Sequence, residues 1–266
     1  MLAISITLLA FQGALPQGVG FAAGSVQPDT ALFPAAPVVM RLYTDCDEDR
    51  WPFDTAEVFV PKTSAEILEG IARRRALEAQ WRNWFEQRSA GSLAPTPLER
   101  WAYPLAERGR LLDNYANPRL GGIHGALDIF VRREGTPVRS PINGLVVAAG
   151  DGWRGGYDRA RRDMWYSGGG LSRRAGNGLI LFDPATGGYL LFSHLREGVT
   201  VRAGDVVRRG QVLGRVGHTG NAVFPGRGRH LHFAFKRPGS GCGFDGVLVA
   251  ENPYQWVRAA RQRLGR

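Results

Sequence analysis

Lysine is almost missing from this chain. Only Lys62 and Lys236 occur, although Lys and Arg together number 34 against 24 acidic residues, so arginine carries nearly all of the formal charge of +10. A balance of this kind points to an anionic partner, such as nucleic acid, a membrane surface or an anionic envelope polymer, or else to an arginine-rich solvated surface. No compact nucleic-acid-binding module accompanies the charge, which argues against specific nucleic-acid recognition. Cysteine is equally scarce. Cys46 and Cys242 lie too far apart for a CxxC metal or redox motif. In an exported protein they could form a disulfide; two free thiols are the open alternative, because spacing does not reveal proximity. Long apolar runs are also lacking. Leu2–Phe11 (LAISITLLAF) is too short to span a bilayer as a helix, and no later stretch is apolar enough to do so.

That short run has a use of its own. Small residues follow it in GFAAGS, Gly20 to Ser25, and an apolar core before such a site matches an export signal over residues 1–25, although no Lys or Arg precedes it. The alternative is a buried N-terminal segment. With export, the protein belongs in the periplasm, the cell envelope or the medium, with no transmembrane span after signal removal. The 266 residues allow one large domain, or a main domain with a smaller partner. Hydrophobic residues make up 44%, enough for a real core, and 36 glycines favour turns and short strands over a helical bundle.

Residues 26–97 read as an N-terminal region. It begins with a proline-broken segment with short strands at Val38–Tyr43 and Ala56–Val60. Thr63-Ser64-Ala65-Glu66 then resembles a capping box, and a helix is expected over about 64–88. Ile67, Ile71, Leu77, Trp81, Trp84 and Phe85 fall broadly on one side of it, a stripe suited to core packing. SAGSLAPTP, Ser89 to Pro97, marks a boundary. From residue 98 to 258 the text changes to short β-type runs with glycine-rich turns: Leu127–Val131, Gly144–Ala149, Leu179–Phe182, Tyr189–Ser193, Gln211–Val216 and Leu231–Lys236. The expected class is α+β and β-dominated, an antiparallel sandwich or groove with a helical N-terminal region. Asp151 to Gly176 interrupts the strands as a long loop holding Trp153, Tyr157, Trp165 and Tyr166 beside Arg159, Arg161, Arg162, Arg173 and Arg174. The tail from Gln255 reads as a short basic helix, with 259–266 beyond the main domain.

Histidine numbers only five. In His230-Leu231-His232, set among Leu231, Phe233 and Phe235, the two imidazoles fall on one strand face, away from the apolar layer. In His124-Gly125-Ala126-Leu127-Asp128 the glycines oppose a helix and Ile129-Phe130-Val131 favours a strand, which again places His124 and Asp128 on one face. A neutral imidazole and a carboxylate are good zinc ligands. His194 ends the apolar run Tyr189–Ser193. Each piece alone is weak; together they gather four histidines and an aspartate into one region.

The segment from about Leu111 to Tyr254 resembles the lysostaphin-like, or LytM-type, zinc endopeptidases. The resemblance rests on GGIHGALDI, GTPVRSPINGLVVAAG, LFSHL, VRAGDVVRRGQVLGRVGHTGN, RHLHF and NPY, in that order. It implies a β-rich groove around one zinc ion, with His124, Asp128 and His232 as ligands and His194 and His230 beside the metal-bound water. Three protein ligands leave a position open for water, the catalytic rather than the structural arrangement. The implied activity is hydrolysis of peptide bonds in peptidoglycan cross-links or stem peptides. His218, in Gly217-His218-Thr219-Gly220, falls where the family tolerates various residues and is read as a surface or supporting group. This chain departs from the pattern at Phe192, where tyrosine is common, at Ala234, where glutamate often follows HLHF, and in longer segments at 151–176 and 221–229.

Two other functions compete. A non-catalytic wall-binding or hydrolase-activating module would share the fold, but its ligand set would typically be incomplete. A sugar-permease phosphotransfer domain uses paired histidines in a similar β-rich architecture, but needs no HxxxD partner and works in the cytoplasm. A further expectation concerns control: Asn114 and Asn117 precede the first ligand motif, and the N-terminal helix could pack over the groove as an inhibitory segment, or simply complete the fold.

Overall fold

The computed structural model describes residues 64–119, 122–239 and 247–264. The expected signal, the strands at Val38–Tyr43 and Ala56–Val60, Thr63 of the capping box and both cysteines lie outside them. The helix that follows, α1, spans Ser64–Ser89. Strands then run in order: β1 (Arg110–Leu111), β2 (Pro118–Arg119), β3 (Gly122–Ile123), β4 (Leu127–Phe130), β5 (Pro137–Arg139), β6 (Gly144–Gly150), β7 (Arg154–Asp158), β8 (Asp163–Gly168), β9 (Asn177–Asp183), β10 (Gly188–Leu195), β11 (Val206–Val207), β12 (Val212–Arg215), β13 (His230–Gly239) and β14 (Val247–Ala250). Helix α2, Tyr254–Arg263, follows. The β-dominated α+β class is as the sequence indicates, and no described helix is long and apolar enough to cross a membrane.

One antiparallel sheet organises the molecule. Its order is β1-β4-β13-β10-β9-β6-β11, with β14 also paired to β13. Strand alternation sorts its side chains onto two faces. Leu127, Ile129, Leu179, Leu181, Leu190, Phe192, Leu231, Phe233 and Phe235 point into the main core. There they meet Val138 of β5 and Leu213 of β12, which pair as a small second sheet, together with Trp101 and Val257 and Ala260 of α2. Residues 259–263, expected as part of a separate tail, are therefore the second half of a packed helix. Trp101 meets Phe235 and Trp256 at ring separations of 5.0 and 5.8 Å, which seats α2 on this core.

The opposite face of the main sheet is shared. Part of it, with Leu145, Val147, Ile180, Phe182, Tyr189, Leu191 and Ala234, is covered by Leu77, Trp81 and Phe85 of α1. The aromatic stripe read from the sequence is therefore core. Helix α1 is tied down at its C-terminal end by a hydrogen bond from the Arg88 guanidinium to the Gly204 carbonyl. The rest of the same face carries the histidines.

The segment at 151–176, expected as a long loop, instead holds a hairpin. Strands β7 and β8 pair antiparallel through Gly155↔Tyr166, Gly156↔Trp165 and Tyr157↔Met164. Gly155 and Gly156 serve there as cross-strand partners for the large aromatic residues Tyr166 and Trp165.

Candidate active site

Strand β13 delivers two site residues by simple alternation. Leu231, Phe233 and Phe235 fill the core, so His230 and His232 stand on the other face. Their neighbour β4 pairs His232 with Asp128 and His230 with Phe130 across the ladder. Paired residues share a face, so the carboxylate lies beside both imidazoles.

His124 arrives differently. It does not sit on a strand with Asp128: β4 begins only at Leu127, and Gly125 turns the chain at φ +65°. The preceding segment compensates by gripping it. The His124 amide donates to the Asn117 carbonyl at 2.8 Å, and the Gly125 amide donates to the Tyr115 carbonyl at 3.0 Å. The His124 Nδ1–H lies 3.1 Å from the Asn114 carbonyl, and the Asn114 Oδ1 accepts the Asp128 amide at 3.1 Å. Asn114 is buried and committed to both residues. The sequence had singled out this asparagine for its position, with a view to control rather than support.

His194 depends on an irregularity. The register between β10 and β9 shifts between Phe192 and Leu195, and His194 adopts φ +64°, a left-handed conformation that is uncommon for a non-glycine residue. Such a bulge re-aims a side chain. Here it brings the His194 ring within 4.9 Å of His230 and 5.6 Å of His232, centroid to centroid. Thr219 holds the arrangement. Its carbonyl accepts from His194 Nδ1 at 2.9 Å, its hydroxyl donates to the Leu195 carbonyl at 2.7 Å, and the same oxygen accepts the Asn177 amide at 3.0 Å. Sequence reading missed Thr219, noticing only its neighbour His218, which is exposed and apart from the cluster. The only available signal was a hydroxyl beside a glycine, in GHTGN.

Three donor atoms converge. His124 Nε2, His232 Nδ1 and Asp128 Oδ1 are separated by 3.2, 3.0 and 3.1 Å. Tetrahedral zinc with bonds of about 2.0–2.1 Å would space its ligands about 3.3 Å apart, so the triangle is close to the right size. Among the described residues these three form a group able to hold a metal ion. With the His124 Nδ1–H donated to Asn114, its Nε2 presents a lone pair inward, the usual second-sphere arrangement for a metal-binding imidazole.

The electrostatics agree with a cation-ready site. Burial alone would raise the Asp128 carboxyl, but the close approach of the His124 and His232 imidazoles outweighs it and holds the group well below the ordinary carboxylate range. Burial lowers His194 well below the ordinary imidazole value, helped by the neighbouring His230 and His232. Burial also lowers His230, against the opposing pull of Asp128. Both imidazoles are thus neutral at neutral pH. Each has its Nδ1 against a backbone carbonyl, Thr219 for His194 and Gly228 for His230 at 3.1 Å, leaving each Nε2 as the basic nitrogen, that of His230 lying 3.5 Å from Asp128 Oδ1.

A family model for peptidase family M23 matches residues 122–242, a little under half of the chain. The matched region contains all five clustered residues. No curated protein matches the sequence. Three solved structures are similar at low identity. The antimicrobial peptidase lysostaphin from Staphylococcus simulans aligns at 22% identity and a TM-score of 0.43, covering 65% of this chain and 58% of that one. The catalytic domain of a prophage-encoded M23 protein, EnpA, from Enterococcus faecalis aligns at 19% and 0.37, covering 61% and 96%. A zinc-containing peptidase from Vibrio cholerae aligns at 19% and 0.36, covering 59% of this chain and 39% of its own. Of the departures from the family pattern, Phe192 is fully buried and faces the main core, while Ala234 packs under α1. Neither substitution lies among the five site residues.

Proposed function

We propose that the protein is a zinc-dependent endopeptidase that hydrolyses peptide bonds of peptidoglycan. The observation that carries this reading is the triangle of His124 Nε2, Asp128 Oδ1 and His232 Nδ1, with 3.0–3.2 Å edges, beside two further buried imidazoles. His124, Asp128 and His232 would hold the metal. When bound, zinc lowers the pKa of a water to about 7 and polarises the scissile carbonyl.

The chain's own groups do the rest. His194 and His230 each keep Nε2 as the basic nitrogen beside this triangle; one can take a proton from the attacking water, and the other, once protonated, can donate a hydrogen bond to the developing oxyanion. Burial excludes bulk water and strengthens both interactions. Asp128 balances part of the metal's charge without titrating near neutrality. Export to the cell envelope fits the proposed substrate.

The test is digestion of purified sacculi with and without a chelator, followed by mass spectrometry of the released muropeptides and metal analysis for one zinc per chain. New peptide-bond cleavage that disappears with chelator supports the reading. Wall binding without cleavage by metal-loaded protein, across several wall types, overturns it in favour of a non-catalytic wall-binding module.

A further inference from the structure

The hairpin of β7 and β8 has a construction that the catalytic reading does not use. Trp165 is 52% exposed although it lies in the middle of a strand. Its cross-strand partner is Gly156, and paired residues point to the same face. A Cβ placed on Gly156 would lie 2.8 Å from Trp165 Nε1, 3.1 Å from Cε2 and 3.3 Å from Cζ2. The indole therefore reaches over Gly156, into the space that a side chain at 156 would occupy, and about half of its surface stays exposed. On the other side of the ribbon Trp153 packs over Gly155 in the same way and stacks on Tyr166 at 6.1 Å. The Tyr166 hydroxyl donates to the Gly169 carbonyl at 2.9 Å.

This platform is anchored to the candidate site. The Trp153 amide donates to Asn177 Oδ1 at 2.8 Å, and the Asn177 amide donates to the Thr219 hydroxyl oxygen, whose residue also holds His194. Further out, Tyr157 of β7 meets Phe224 edge-on at 5.4 Å, in the segment that leads to His230. The hairpin is thus linked through Asn177 and Thr219 to His194, and through Phe224 to the segment that precedes His230. Around its turn Arg159, Arg161 and Arg162 are exposed, with Arg154 at its base.

A half-exposed indole with arginines beside it suits one class of ligand particularly well. The aromatic face is electron-rich and attracts polarised C–H bonds, which the flat side of a pyranose ring presents in a row. Guanidinium groups pair with carboxylates, which the stem peptides supply where they are attached and the muramic acid lactyl group supplies where the stem has been removed. We propose that the β7–β8 hairpin binds the glycan strand of peptidoglycan, stacking an N-acetylated sugar on Trp165 while its arginines meet the strand's carboxylates. This deepens the proposed function and rests on it for the identity of the polymer.

The experiment measures calorimetric binding of peptide-free glycan strands, prepared by amidase treatment, to the zinc-loaded full chain. The wild-type protein should bind them, Trp165→Ala should lose about tenfold in affinity, the size of one aromatic stacking contact, and Trp165→Tyr should recover most of it. Gly156→Val, which lifts the ring without removing it, should fall between. Absence of strand binding by the wild-type protein, or equal affinity in Trp165→Ala, overturns the proposal. Sacculus hydrolysis is read separately. Strand binding that depends on Trp165 without hydrolysis leaves the platform standing and removes the peptidase reading; hydrolysis without strand binding does the reverse.

Discussion

One face of the main sheet has two halves with different tasks. Under α1 it is apolar and closed: Trp81 is fully buried, and Leu145, Ile180 and Phe182 lie beneath the helix. Further along the same strands it is polar and carries the catalytic candidates. Strand β13 crosses the border within a few residues, with His230 and His232 on one side of it and Ala234 on the other. The strand period supplies both halves. What separates them is the neighbouring structure: a helix covers one, and the hairpin and the segment before β13 are linked to the other.

The division can be tested from either half. The largest effect belongs to the polar half. Asp128→Ala should abolish zinc binding and sacculus hydrolysis while the chain still folds, as read by metal content and circular dichroism. Loss of folding together with metal would show that the halves are not independent. In the closed half, Trp81→Ala should cost about 3–5 kcal/mol of stability, seen as a lower urea midpoint, with zinc per folded chain unchanged.

Smaller effects sharpen the picture. His194→Ala should lower kcat on sacculi by about 100- to 10,000-fold, the range for a lost general acid or base, while the protein keeps its zinc. Asn114→Ala should weaken zinc about 10- to 100-fold, as loss of a ligand's supporting bond does, in a chelator competition assay. The smallest effect lies beside α1. Burial raises the Asp183 carboxyl to about 6, against hydrogen bonds from Thr186 and the Ala185 amide. A folded value above the unfolded one means that the native state holds the extra proton between about pH 4 and 6. Its stabilising effect is therefore present below that window and lost as the pH rises through it, by at most about 1.4 kcal/mol per pH unit. Asp183→Asn should flatten this fall in urea titrations.

Much of this was legible from residues alone. Alternation around His230-Leu231-His232 shows which residues share a face, because a two-residue period needs no tertiary knowledge. The stripe of Leu77, Trp81 and Phe85 is legible for the same reason on a helix. His124 was misplaced on a strand, because Gly125 permits a left-handed turn but does not announce one. The bulge at His194 was invisible, since it is a mismatch of register between β9 and β10 and belongs to neither strand's own pattern. The hairpin was not legible as strands, since Gly155 and Gly156 are poor strand formers, and only the structure shows the rings that occupy their empty space.

The placement of α1 also bears on where this protein can be divided. The family match begins at residue 122, well after the helix ends. The folding unit does not begin there. A cut at the proline-containing stretch after Ser89 would leave every catalytic candidate in place and uncover a band of Leu145, Val147, Ile180, Phe182 and Leu191. Uncovered apolar bands of this kind drive self-association. The smallest piece that behaves as a well-formed molecule is therefore larger than the homologous segment, and proteolytic trimming at this point would favour aggregation before it altered the chemistry.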